Sequence, residues 1–162
     1  MEIAVIGAGP SGIMAALQAA KGRARVSLFD HNDKIGRKLL VTGSGRCNLS
    51  NANLDPQLYT SADPDWMAAF LESFPLKAAL QAFGEQGILT HHSADGWYYP
   101  LSDSAHAVVA LLEEALQRAG VTLRLATGVS AIEYSHPGFL LNTHSKGRDS
   151  FEHFDRLVVA AG

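Results

Sequence analysis

The sequence predicts an α/β fold, a parallel sheet with a small antiparallel β-meander laid on it. Three observations carry this. The first thirty residues read strand, helix, strand, the length that a right-handed parallel crossover needs. A glycine pattern, GAGPSG (Gly7 to Gly12), fills the turn between the first strand and the helix. The chain also closes on RLVVAAG, an apolar run of buried-strand character that ends in small residues.

The elements follow in order. EIAVIG (Glu2 to Gly7) is short, apolar and rich in branched residues, which suits a buried strand. SGIMAALQAA (Ser11 to Ala20) consists largely of helix formers, and RVSLFD (Arg25 to Asp30) is a second strand ending on an acid. The stretch from Lys34 to Asn51 is too broken by glycine for a good helix and too basic for a core, so it is expected to be a loop. After a turn-rich connector, Trp66 to Phe74 and Pro75 to Gln86 read as two short helices, with Pro75 opening the second. Ile88 to Leu101 reads as a hairpin turned at Asp95–Gly96. DSAHAVVALLEEALQRAG is the clearest helix: Val108, Leu111, Leu112, Ala115 and Leu116 share one face, and Gly120 ends it. VTLRL, GVSAIEYS and GFLLNTH are three strand-like runs before the closing strand. A strand ending in small residues and glycine normally feeds another element, so the sequence reads as a fragment cut near the end of a nucleotide-binding module.

Composition narrows the function classes. The chain has 162 residues, 47% apolar and 18% charged, the profile of a globular domain with a core. A net charge of −3 lacks the basic surplus that general nucleic-acid binding uses. The single cysteine, Cys47, has no internal disulfide partner, so a reducing cytoplasm fits. Apolar runs fall short of a membrane span, and Glu2 with the early glycines breaks any signal-peptide pattern. The expected partner is a small-molecule substrate, with no nucleic acid and no membrane.

GAGPSG matches G-x-G-x-x-G, a weak pattern alone, but here it follows a strand, opens a helix and precedes an acid, Asp30, at the end of the next strand. Gly7 permits the tight turn, Gly9 lets backbone approach a pyrophosphate, and Gly12 lets helix pack on strand. The helix N-terminus offers unpaired N–H groups and partial positive charge, with Ser11 adding a hydroxyl. Asp30 can accept from a ribose diol, and its charge repels a 2′-phosphate, which favours FAD or NAD over NADP. The bland alternative is a plain glycine turn. Four cations, Lys34, Arg37, Lys38 and Arg46, then fall within thirteen residues that contain no acid. Arg and Lys neutralise phosphate, glycines allow close approach, and Thr42, Ser44 and Asn48 offer neutral donors and acceptors to a polar ring edge. This chemistry suits a diphosphate continuing into a flavin.

GRKLLVTGSGRCNLSN (Gly36 to Asn51) closely resembles the pattern G-R-K-x-x-x-S/T-G-x-G-R-C-N-x-S/T-N of a bacterial flavoprotein family, the BaiN-like, or aminoacetone-oxidase-like, NAD(P)/FAD-dependent oxidoreductases. DGWYYPLSDSAHAVVALL is similar to that family's G-x-x-F/Y-P-x-S-x-x-A-x-x-V-x-x-L segment, and RLVVAAG to its second flavin motif, with Ala161 where threonine is usual. The resemblance covers essentially the whole chain. It implies a Rossmann-like FAD-binding domain of the glutathione-reductase-like superfamily over residues 1–162, the N-terminal portion of longer proteins whose substrate domain and flavin-closing segment come later. It implies FAD as cofactor, with NAD(P)H a candidate electron donor, and hydride transfer between the flavin and an unidentified small substrate.

By that resemblance the FAD adenosine would lie along Gly7, Ala8, Gly9, Pro10, Ser11, Gly12 and Asp30, with the pyrophosphate near Ser11, Arg37 and Lys38. Ser44, Gly45, Arg46, Cys47 and Asn48 would lie toward the ribityl chain and flavin. His31, Gly36, Thr42 and Gly43 would also contact the cofactor. Val129 would touch adenine with backbone atoms, and Ala161 and Gly162 would pass the pyrophosphate. The catalytic residues stay unassigned and no metal is expected. A reactive Cys47 would need a lowered pKa, which Arg46 could supply, but without a C-x-x-C pair packing beside the flavin is the stronger reading. His91 and His92 face opposite ways on a strand and suit no shared metal. Trp97, Tyr98 and Tyr99 read as hairpin packing, and Glu113–Glu114 as a solvated face. Three rival readings remain: a non-catalytic NAD-binding module, an FAD-dependent nucleic-acid-modifying enzyme, and a non-functional truncation that folds poorly.

Overall fold

The computed structural model describes residues 1–162. The chain forms two compact units, one from Met1–Leu40 with Leu112–Gly162, the other from Val41–Leu111. No helix is long and apolar enough to cross a membrane.

The first unit is built on a four-stranded parallel sheet. Its strands, in spatial order, are β10 (Arg156–Val159), β1 (Glu2–Ile6), β2 (Arg25–Phe29) and β6 (Thr122–Arg124). Ala4 and Val5 of β1 are completely buried, as befits a strand paired on both edges. Helix α1 (Pro10–Lys21) lies against β1 and β2 and buries Ile13, Ala16 and Leu17. Because each strand runs the same way, the ends of β1, β2 and β10 bring residues 7–11, 30–32 and 160–162 to one edge, where ligands of open α/β sheets bind.

A second sheet of this unit is the antiparallel meander β7 (Gly128–Ser135), β8 (Gly138–Ser145) and β9 (Arg148–Phe154). Leu141 of β8 and Phe154 of β9 join Ala4 and Phe29 in one core cluster, with Phe29 and Phe154 edge to face at 5.8 Å. The parallel sheet and the meander are the expected architecture. The strand β9 went unread in the sequence. Its side chains are mostly exposed and polar, so it lacks the apolar signal of a strand and is defined by its pairing with β8.

The basic stretch is shared by the two units, with Lys34, Arg37 and Lys38 in the first and Arg46 in the second. The loop expected there is corrected here: Arg37–Val41 forms a short helix, α2, and Thr42–Gly45 a 3-10 turn. Between Gly36 and Gly43 lie six residues with no breaker, and Leu39 is buried, so glycine bounds this helix rather than preventing it. Gly43 and Ser44 take left-handed φ values of 54°. A two-residue strand β3 (Ser50–Asn51) pairs with the predicted hairpin of β4 (Thr90–His92) and β5 (Trp97–Pro100). The turn closes as Gly96, at φ 85°, donates its N–H to the Ser93 carbonyl.

Helices α3 (Pro64–Ser73) and α4 (Leu76–Gly84) follow the two predicted runs; Pro75 caps α4 instead of opening it, and Asp63 caps α3 by accepting from the Trp66 N–H at 2.9 Å. The last helix, α5 (Ala105–Arg118), buries Ala105, Val108, Leu112, Ala115 and Leu116, with Leu111 half-buried, and Gly120 beyond it adopts φ 71°.

Candidate functional site

At the C-terminal edge of the parallel sheet lies a cleft of about 350 Å³. It is lined by Gly7, Ala8, Gly9, Pro10 and Ser11 from the β1–α1 turn and by Asp30, His31 and Asn32 after β2. Lys34, Arg37 and Lys38 supply its cations, and Ala160, Ala161 and Gly162 its far wall.

The three motif glycines differ in what their missing Cβ atoms leave free. At Gly12 a Cβ would stand 1.7 Å from the Gly7 carbonyl oxygen, and at Gly7 (φ 103°) it would stand 2.4 Å from the Ala160 oxygen. Both positions are closed by backbone, so these glycines let strand, turn and helix touch. At Gly9 a Cβ would meet nothing within 4 Å, and this residue lines the cleft. Here the missing side chain leaves room for a ligand. Gly9 also stands at the N-cap of α1, where no side chain caps the helix and Pro10 follows. A twelve-residue helix so begun presents its N-terminal dipole to the cleft.

Asp30 is the electrostatic centre of this edge. Its Oδ2 accepts from the Ala8 N–H at 2.7 Å, and its Oδ1 accepts from both the backbone N–H and the side-chain amide of Asn32 at 2.8 Å. His31 Nδ1 lies 3.5 Å from Oδ1. Burial pushes this carboxyl up, but the hydrogen bonds from Asn32 and Ala8, with the nearby His31, outweigh it and hold the pKa below the ordinary aspartate value. Asp30 therefore ties the glycine turn to the chain after β2. Asn32 extends the tie, since its Oδ1 accepts from Arg37 Nη1, and the Gly36 N–H donates to the Ala8 carbonyl at 2.8 Å.

The structure thus gathers Gly7 to Ser11, Asp30, His31, Arg37, Lys38, Ala161 and Gly162 in one cleft. Gly12 and Gly36 support it from behind through backbone contacts. Val129 lies apart from the lining, at a bulge of β7 and packed on the core cluster. Asn32 was missed as a site residue, although an Asx-turn signal was present in Asp-His-Asn after a strand. Lys34 was read as a cation without being assigned to the site, and Ala160 was passed over as strand.

The run Thr42–Asn48 belongs to the second unit. There the Arg46 guanidinium sits 4.2 Å from the Tyr99 ring centroid, and its Nη2 donates to the Tyr99 hydroxyl at 3.2 Å. A Cβ on Gly43 would meet Tyr99 at 3.1 Å and the Asn48 nitrogen at 3.0 Å, so Tyr99 packs directly on this turn. Asn48 Oδ1 is buried without a hydrogen-bond partner.

Cys47 is completely buried at φ 66°, and burial pushes its thiol pKa up, against a smaller opposing hydrogen bond from Thr42. Burial therefore sets the state of this thiol, and the Arg46 guanidinium is engaged with Tyr99 instead of activating it. In the folded chain Cys47 should react with a thiol reagent at pH 7 at least about a hundredfold more slowly than in denaturant. Equal rates would show an open, reactive thiol. His91 pairs with Asp103 at 3.1 Å and His92 packs near Tyr98, and no group of His, Cys, Asp and Glu gathers to hold a metal.

Comparison with known proteins adds to this geometry. The family model described as HI0933-like protein Rossmann domain matches residues 1–162. The chain is 36% identical, over 99% of its length, to a 3-dehydro-bile acid delta(4,6)-reductase of Clostridium scindens, and covers 39% of that protein. It is 30% identical over 98% of its length to a ribosomal RNA dihydrouridine synthase of Escherichia coli, of which it covers 38%. The chain spans about two fifths of the length of these relatives. Among solved structures it resembles a 3-ketosteroid-delta4-(5alpha)-dehydrogenase from Rhodococcus jostii with TM-score 0.75 at 15% identity, over 99% of this chain and 46% of that one, a likeness of fold.

Proposed function

The chain belongs to the HI0933-like family, as its FAD-binding Rossmann domain, and on that premise we propose that residues 1–162 hold FAD for a BaiN-like oxidoreductase that moves hydride between the flavin and a small substrate in the cytoplasm, with NAD(P)H as electron donor. The observation that carries this reading is the cleft at the sheet edge. Its floor is opened by Gly9, its cations are Lys34, Arg37 and Lys38, and an uncapped helix N-terminus faces it.

These features fit a diphosphate. The N-terminus of α1 and the Ser11 hydroxyl receive phosphate oxygens, and the three cations balance their charge. Asp30 already accepts three hydrogen bonds from the protein, which leaves a carboxylate about one further site for a ribose hydroxyl. Its negative charge disfavours a 2′-phosphate there. Val129 meets adenine through backbone, Ala161 and Gly162 border the diphosphate, and Thr42 to Asn48 serve the ribityl and flavin end. FAD supplies the hydride-accepting and hydride-donating ring, while the protein supplies position and dipoles.

Reversing either charge, Arg37→Glu or Lys38→Glu, should weaken FAD binding about tenfold or more while circular dichroism stays unchanged. Unfolded variants that bind flavin normally once refolded would make these residues structural. The resemblance to ribosomal RNA dihydrouridine synthases makes RNA the runner-up substrate. Tight RNA binding that falls steeply with salt would favour it, against the net charge of −3.

A further inference from the structure

Tyr99, which the sequence marks as hairpin packing, has a second set of contacts. It lies on β5, between β3 and β4, and is only 7% exposed, so the sheet fixes its ring. One edge of that ring closes on Gly43, where a Cβ would stand 3.1 Å from Tyr99 Cε1. Its face carries the Arg46 guanidinium at 4.2 Å, and its hydroxyl accepts from Arg46 Nη2 at 3.2 Å. The backbone between these two contacts is unusual. Gly43, Ser44 and Gly45 take φ values of 54°, 54° and 86°, and Cys47 follows Arg46 at 66°. Residues with a Cβ, such as Ser44 and Cys47, hold left-handed φ only where their surroundings enforce it. β5 fastens the exit of the turn as well, since the Leu49 N–H donates to the Tyr98 carbonyl at 2.9 Å.

We propose that Tyr99 is a positioning residue for FAD: it holds the Arg46 guanidinium in one orientation, so that the donors Tyr99 does not take meet the flavin end of the cofactor. The inference rests on the reading above that Thr42–Asn48 serve that end. A free arginine side chain carries much rotamer entropy, and ordering it beforehand removes that cost from binding. Acids outnumber Lys and Arg in this unit, yet the guanidinium is held by a neutral ring and its hydroxyl. Tyr99 takes one face and one N–H of the planar fork. Most of its donors are left for the carbonyl oxygens and ring nitrogens of a flavin edge.

The test titrates the chain calorimetrically with FAD and with ADP, which has the adenosine and diphosphate but no flavin. Tyr99→Leu should weaken FAD at least about tenfold and ADP less than about twofold. In an Arg46→Ala background the same substitution should cost no further FAD affinity, within about twofold, because the ring acts through that side chain. A merely structural role would still lower it. Tyr99→Phe keeps the packing and loses only the hydroxyl, so it repeats the cycle if Tyr99→Leu does not fold, with an expected loss of about threefold for FAD alone. Equal losses for FAD and ADP, or a Tyr99 effect that persists without Arg46, would overturn the proposal. Arg46→Ala that weakens FAD while both Tyr99 variants bind as wild type would sink the positioning role and leave the flavin-end reading standing. Arg46→Ala that leaves FAD binding unchanged would sink that reading, and the positioning role with it.

Discussion

Gly12→Ala should leave the chain largely unfolded, whereas Gly9→Val should leave it folded and unable to retain FAD. The two substitutions sit three residues apart in one motif, yet their surroundings are opposite. A methyl group at Gly12 would lie 1.7 Å from the Gly7 carbonyl oxygen, a backbone atom that cannot swing aside. Relieving that overlap means moving α1 off β1, at a cost of order 3–5 kcal/mol, comparable to much of a small domain's stability. Gly9 has an ordinary φ of −75° and no heavy atom within 4 Å of its absent Cβ. Valine there costs roughly 1 kcal/mol as a poor N-cap, but its methyl groups occupy the floor of the cleft. FAD affinity should fall about a hundredfold with the melting curve little changed. Two variants of equal stability would refute this division of labour.

The second large effect is expected at Asp30. Asp30→Ala removes the acceptor of the Ala8 N–H and both anchors of Asn32, and through Asn32 it loosens Arg37. Charged hydrogen bonds of this kind are each worth roughly 1.5–3 kcal/mol and share one carboxylate, so a loss of about 2–4 kcal/mol of stability is expected. FAD retention should drop by a further ~12–150-fold, the loss of one charged hydrogen bond to ribose. The pH dependence has a defined sign. The folded carboxyl titrates below its unfolded value of about 3.9, so its contribution is fully present above that pH and is lost as pH falls through the lower folded value. Asp30→Asn should flatten this acid limb of the stability curve. An acid limb as steep as wild type would place the depressed group elsewhere.

The sequence made the parallel unit legible because three signals agreed: apolar runs of strand length, a glycine turn between strand and helix, and an acid closing β2. The same local logic read α5 and the Asp95–Gly96 hairpin. It failed where the cause is not local. β9 is held by pairing with β8 while its side chains face solvent, so no apolar alternation marks it. The helix α2 was hidden by the glycines that bound it, because composition averaged over the basic stretch outweighs a five-residue window. At the site, residue types announced the glycines, Asp30, Arg37 and Lys38. They did not announce Asn32, whose importance comes from linking Asp30 to Arg37 across a turn. Nor did they reveal that Arg46 spends its charge on Tyr99, since those residues lie far apart in the chain.

The most direct test of the central claim is equilibrium dialysis of the chain, and of its Gly9→Val variant, against FAD and against riboflavin. If the sheet-edge cleft holds the diphosphate and adenosine, FAD binds saturably, riboflavin at least about a hundredfold more weakly, and Gly9→Val removes most of that difference without altering the circular dichroism spectrum. Riboflavin binding as tightly as FAD, or FAD binding that ignores Gly9→Val, would contradict the assignment of the cleft.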